Sequence, residues 1–186
     1  MNEYKREYPL FSLCGLNCGL CPRYHTNGTS KCPGCGGQDF ESKHPACKVI
    51  TCNKKHDDVQ YCYECSLYPC DKYTATNNLD SFITYKNVNS DLEKLKKYGL
   101  DNYKKELNEK VNILQFILAN YDDGRHKNFY CLAVNLLSLE SLQRVINSIK
   151  QFFIEKKMDK KECIDELVLL LNKEAENQNL KLELRR

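Results

Sequence analysis

The chain has 186 residues, a formal net charge of +3 and 41% hydrophobic residues, enough for one domain or two small ones. Its longest strongly apolar run, Leu167–Leu171, is far short of a membrane span, and nine Lys/Arg against eight Asp/Glu over residues 1–76 leave no basic stripe for nucleic acid. Met1–Pro9 is charged and lacks a secretory apolar core, so a cytoplasmic location is expected, where thiols stay reduced.

Residues 10–14 suit a short strand. From Cys14 to Cys70 the text is rich in Gly, Pro, Asn and Asp and keeps no period of 3.6 or 2, the pattern of loops pinned by metal rather than by an apolar core. Residues 71–89 form the connection: Asp71–Tyr73 extends a short helix begun near Ser66, and Thr74–Asn78 reads as a break. Helices follow. Ser90 and Gly99 bracket Asp91–Tyr98, and Asp101 opens a helix to about Tyr121 with Leu107, Val111, Leu114, Ile117 and Leu118 on one face. Asn128–Leu137 reads as a buried helix. Ser138 caps Leu139–Lys157, whose inner face is Leu142, Val145, Ile146, Ile149 and Phe153, and Asp159 caps a last helix to about Glu176. The alternation of Leu180, Leu182 and Leu184 suits an edge strand. The fold class expected is a small metal-stabilised cysteine-rich domain, irregular and knuckle- or ribbon-like, over 10–76, followed by an all-α bundle of four or five helices over 88–186.

Ten of the twelve cysteines lie between Cys14 and Cys70. Two residues between cysteines let a tight turn aim both sulfurs at one point, which suits a metal ion better than a disulfide. The order is Cys14, Cys18, Cys21, then Cys32, Cys35, then Cys47, Cys52, and finally Cys62, Cys65 and Cys70. Cys32-Pro33-Gly34-Cys35 is the most specific local signal, because Pro and Gly shape a turn whose amides can hydrogen-bond bound sulfur. Spacing puts one ion on Cys18, Cys21, Cys32 and Cys35 and a second on Cys47, Cys52, Cys62 and Cys65; cross-braced pairing is the competing arrangement. Cys14 and Cys70 then exchange into those sets, stay buried, or complete a third site with His25, His44 or His56. About two zinc ions are expected, and eight thiolates on two dications would bring the net charge from +3 to about −1. Cys131 and Cys163 lie in apolar helical text and read as core residues. Asp122–Lys127 mixes acid, Arg, His and Lys; an anion or proton-transfer site is weighed there against a capped interhelical turn.

The opening Cys14-Gly15-Leu16-Asn17-Cys18-Gly19-Leu20-Cys21-Pro22, the Cys32–Cys35 knuckle and the closing Cys62-Tyr63-Glu64-Cys65-Ser66-Leu67-Tyr68-Pro69-Cys70 resemble a family of bacterial and archaeal cysteine-rich proteins of unknown function. The resemblance covers residues 13–73 and extends to an element at Asp123–Cys131. It implies metal binding and no particular activity.

Several functional classes fit these residues unequally. Zinc sites that fold a binding module for a protein partner lead, without nucleic acid or membrane. An iron–sulfur redox protein follows, on the Cys14/Cys18/Cys21 triplet and Cys21-Pro22. That triplet also matches radical S-adenosylmethionine enzymes, but their barrel has no counterpart here. A thiol-redox enzyme on Cys32 and Cys35 lacks the strand–helix context such dithiols use, and a secreted disulfide scaffold lacks its leader. Sulfur-only shells argue against a hydrolytic zinc site, for which Glu64, Asp57 and Asp58 are the nearby acids.

Overall fold

The computed structural model describes residues 4–56, 59–72, 79–156 and 159–186. Among these, seven α-helices and no strand form. They are Phe40–Lys43 (α1), Lys48–Asn53 (α2), Val88–Tyr98 (α3), Leu100–Tyr121 (α4), Lys127–Leu136 (α5), Leu139–Lys156 (α6) and Lys160–Asn177 (α7), with 3-10 turns at Cys18–Leu20 and Cys62–Glu64. The break expected at Thr74–Asn78 lies outside the described residues. The chain divides into two compact units, one running to Lys104 and including Leu184–Arg186, the other Lys105–Glu183.

The first unit has more core than a metal-pinned loop segment was expected to hold. Phe11, Leu13 and Leu20 are essentially inaccessible, and Phe11 packs at a tilt against Tyr103 and Tyr61 with ring centroids 4.7 and 5.4 Å apart. α3 turns Val88, Leu92 and Leu95 inward from the spacing of a helix face. The expected strand at 10–14 is instead a chain of turns: Ser12 accepts from Gly15 N at 3.0 Å and Ser12 N donates to Leu16 O at 2.9 Å. Gly15 sits at φ +88°, and a side chain there would press on Val88 and Leu92. The boundary falls after Lys104, beyond the 76–88 connection, because α3 and the first turn of α4 are tied to the cysteine motif. Asn17 Nδ2 donates to Asp91 Oδ2 at 2.8 Å, and Tyr103 Oη donates to Asn17 Oδ1 at 2.7 Å, with all three residues buried.

The second unit is the helical bundle read from periodicity. Leu107, Val111, Leu114 and Ile117 of α4 are buried; Leu142, Val145, Ile146 and Ile149 of α6 and Cys163, Leu167 and Leu171 of α7 are buried as well. Tyr130, Val134 and Leu137 complete the core from α5 and its end. Lys110 buries its stem and donates from Nζ to Leu137 O at 2.7 Å, placing a cation on the carbonyl end of α5. Ser138 Oγ accepts from Ser141 N at 3.2 Å, and Asp159 with Glu162 makes a reciprocal capping box at the start of α7. α7 ends in a Schellman motif, with Asn179 at φ +53° and Leu180 N donating to Ala175 O at 2.8 Å. The tail does not form the expected edge strand. Arg185, in the first unit, instead grips Asp80 through its main-chain N at 2.8 Å and its guanidinium at 2.9 Å.

Candidate metal centre

The cysteines are positioned by three devices: the turn chain of the opening motif, the Cys32–Cys35 knuckle, and the short helix α2 followed by the Cys62–Glu64 turn. In the knuckle Gly34 adopts φ +83°, and a Cβ there would overlap the carbonyl oxygen of Pro9. That close approach lets Cys35 N donate to Pro9 O at 2.9 Å, while Arg6 N donates to Gly36 O at 3.0 Å. The knuckle is thereby stapled to residues 6–9.

Donors converge on several sulfurs. Amide N–H groups of Arg23 and Tyr24 stabilise the Cys21 thiolate, that of Leu13 the Cys35 thiolate, and that of Leu16 with the Ser12 hydroxyl the Cys14 thiolate. Ser12 Oγ lies 3.1 Å from Cys14 Sγ. Burial nonetheless dominates and pushes these thiols up, Cys35 to about 12 and Cys18 well above the ordinary thiol range. Neighbouring sulfurs add to the effect: Cys18 feels Cys35, Cys14, Cys21 and Cys32, and Cys35 feels Cys14 and Cys47. Each thiolate here therefore calls for a cation. Arg6 supplies one, lowering Cys35 from beside it while its guanidinium lies 4.8 Å from the Tyr61 ring centroid. Arg6 Nε is buried without a hydrogen-bond partner.

The clustered cysteines form two neighbourhoods that overlap at Cys62. Cys14, Cys18, Cys35, Cys47 and Cys62 pack on or within the apolar cluster of Tyr4, Leu13, Phe40 and Ile50. Cys52, Cys62, Cys65 and Cys70 line a cavity of about 40 Å³, together with His56 and Lys72. Cys21 and Cys32 adjoin Cys18. Among the described residues, no three His, Cys, Asp or Glu side chains stand in coordinating geometry. In their chemistry the residues supply sulfur donors and amides that favour the thiolate, the form in which cysteine would hold a metal.

His25, His44 and Glu64 have other contacts. His25 Nε2 lies 2.8 Å from Gly19 O, and His44 Nδ1 lies 2.8 Å from Pro45 O with its ring stacked on Phe40. Glu64 Oε2 accepts from Gln60 N at 2.9 Å and Tyr61 N at 3.1 Å, so its carboxylate closes the turn. Asp57 and Asp58 lie outside the described residues. In Asp122–Lys127, Asp123 Oδ1 accepts from Arg125 N at 2.9 Å and His126 N at 3.2 Å and meets His126 Nδ1 at 3.1 Å, the bonding of a capped interhelical turn. Tyr4, Arg6 and Ser12 were not anticipated; they lie before the first cysteine and carry no spacing signal.

Residues 10–75 match the family described as "Protein of unknown function (DUF3795)". The match spans all ten clustered cysteines, the region where the motifs suggested a cysteine-rich family of unknown function. No curated protein and no solved structure matches the chain.

Proposed function

We propose that this is a metal-binding protein in which zinc, held by cysteine thiolates of the segment 14–70, builds a surface that recognises a protein partner. A cytoplasmic location belongs to this reading; no helix among the described residues is long and apolar enough to cross a membrane. The observation that carries it is the convergence of amides and the Ser12 hydroxyl on the sulfurs of Cys14, Cys21 and Cys35. Such donors stabilise a thiolate, the species a metal takes, and serve no purpose for a disulfide. Arg6 adds positive charge where four thiolates around one dication would leave a local excess of negative charge.

Sulfur-rich shells make a dication a weak Lewis acid, so the sites serve structure. Leu67 and Phe82, 59% and 63% exposed in the same unit, offer apolar contact area to a partner. Elemental analysis and absorption spectroscopy of anaerobically purified protein test the proposal. About two zinc equivalents and no visible band are expected, from ten thiols shared among four-ligand sites. Broad visible absorption with iron and sulfide would replace zinc by an iron–sulfur cluster and the binding module by an electron carrier. A folded protein without metal would refute both.

A further inference from the structure

Two large apolar side chains stand exposed within one short stretch of the first unit, Leu79 at 64% and Phe82 at 63%. A single exposed leucine or phenylalanine is ordinary on a protein surface. These two differ in what stands beside them. The Arg23 guanidinium carbon lies 5.3 Å from the Phe82 ring centroid, and Arg185 grips Asp80, which follows Leu79 in the chain. We infer that the surface built by Arg23, Lys31, Leu79, Phe82 and Arg185 docks an acidic segment of a partner protein that also carries apolar side chains. This rests on the partner-recognition half of the reading above and supplies the partner's chemistry.

Hydrogen bonds hold the pieces of that surface together. Cys32 N donates to Arg23 O at 3.0 Å and Lys31 N donates to Gly28 O at 3.3 Å, so the loop 23–32 closes and its two cations stand at its base. Lys31 Nζ lies 5.3 Å from the centroid of the Tyr24 ring. Asp80 accepts from Tyr85 N and from Arg185 N, each at 2.8 Å, which pins 79–85 to the tail.

Charge sets the occupant. From Tyr8 to Gln38 the sequence has no Asp or Glu, and residues 79–90 hold only Asp80. The Asp80 side chain is fully inaccessible while that of Arg185 is 38% exposed, so the pair shows solvent a guanidinium and no carboxylate. Arg23 and Lys31 are exposed and stand over aromatic rings. A cation over a ring keeps N–H groups for a carboxylate, and the arginine fork fits both carboxylate oxygens. Apolar side chains of the same segment would cover Leu79 and Phe82 and shield the ion pairs from water. Single-stranded nucleic acid fits less well, because bases stack on open ring faces and the two cations each cover one face of Phe82 and Tyr24.

The test uses the full chain and, as probe, a fluorescein-labelled peptide alternating Glu with Phe and Leu, read by fluorescence anisotropy. Saturable binding is expected, weakened about tenfold by Arg23→Gln or Phe82→Ser and weakened by added salt. A peptide with Gln for every Glu, and polyglutamate without apolar residues, should each bind about tenfold more weakly or worse. Hydrogen exchange should show the peptide protecting 23–32 and 79–85. Lys173→Gln, at an exposed lysine of the second unit, should leave binding unchanged. No binding, binding unaffected by Arg23→Gln and Phe82→Ser, or an equal loss in Lys173→Gln would overturn the assignment. Oligothymidylate binding more tightly than the peptide through the same residues would overturn it too. Metal analysis of the same sample separates the two readings: metal-loaded protein that ignores the peptide defeats this one alone, and folded, metal-free protein that binds the peptide defeats only the metal-binding one.

Discussion

Removing the Tyr103 hydroxyl tests whether the cysteine motif is braced by the helices that follow it. Tyr103 is 5% exposed and donates to Asn17 Oδ1 at 2.7 Å, and Asn17, 4% exposed, passes the restraint to Asp91. Tyr103→Phe keeps the ring packed on Phe11 and deletes one buried hydrogen bond, at a cost of about 1.5 kcal/mol. Because about 1.4 kcal/mol is a factor of ten in an equilibrium constant, local opening should rise roughly tenfold. Hydrogen exchange read by mass spectrometry on the full chain should show that loss of protection in peptides covering 10–21 and α3. Peptides from α5, α6 and α7 should keep their protection, and Tyr98→Phe, at a residue 57% exposed, serves as the neutral control. Unchanged exchange at 10–21, or a loss spread evenly into the second unit, would show that Asn17 does not couple motif and helix.

Chelation of the purified protein should expose the segment 14–70 and α3 to protease while the second unit keeps its helical circular dichroism, each metal site contributing on the order of 10 kcal/mol. Retention of protease resistance at 14–70 after complete metal removal would contradict this. Gly34→Ala places a methyl against the Pro9 carbonyl at φ +83° and should cost about 2 kcal/mol, lowering the melting temperature and bound metal together. Asp80→Asn should free the tail 184–186 and the loop at 80–85, at about 2 kcal/mol once the partial exposure of Arg185 is discounted, read as loss of amide protection at Tyr85 and Arg185. Burial raises the Asp80 carboxyl, but its bonds from Arg185 and the amides of Tyr85 and Arg185 outweigh this and hold it below the usual range. The stabilisation is thus complete above the unfolded carboxyl value of about 3.9 and is lost as pH falls through the lower folded value, so protection at Arg185 should drop only below about pH 4, and Asp80→Asn should abolish that dependence.

The helical half was legible because its information is local. A 3.6-residue apolar period, Ser138 and Asp159 as caps, and Gly99 as a stop each act within one or two turns, and α4 to α7 begin and end within a residue or two of their signals. The tail misled for the same reason. Alternating Leu180, Leu182 and Leu184 follows strand periodicity, yet a strand needs a partner edge, and the left-handed Asn179 and the Arg185–Asp80 pair take the chain elsewhere. The motif's Asn17 looked like filler between cysteines, whereas its partners Asp91 and Tyr103 lie more than seventy residues away in sequence. No window of spacing contains that contact, which together with the Phe11–Tyr103 ring contact ties α3 and the start of α4 into the first unit.

The same limit governs the sulfurs. Cysteine spacing states which residues a turn can bring together, and Cys32–Cys35 and Cys62–Cys65 are turns of that kind. Between Cys47 and Cys52 the chain is helical, and there the count of intervening residues acts as an angle rather than a distance. Four intervening residues of a loop let two side chains turn to one point; four residues of helix fix the angle between them. Apolar Val49 and Ile50, both buried, decide that this segment is a helix with its face on the core. Hydrophobic residues that bind nothing thus set how the sulfurs at the two ends of α2 are presented, and a change at Ile50 that loosened the helix is expected to lower amide protection over 48–53 in hydrogen exchange.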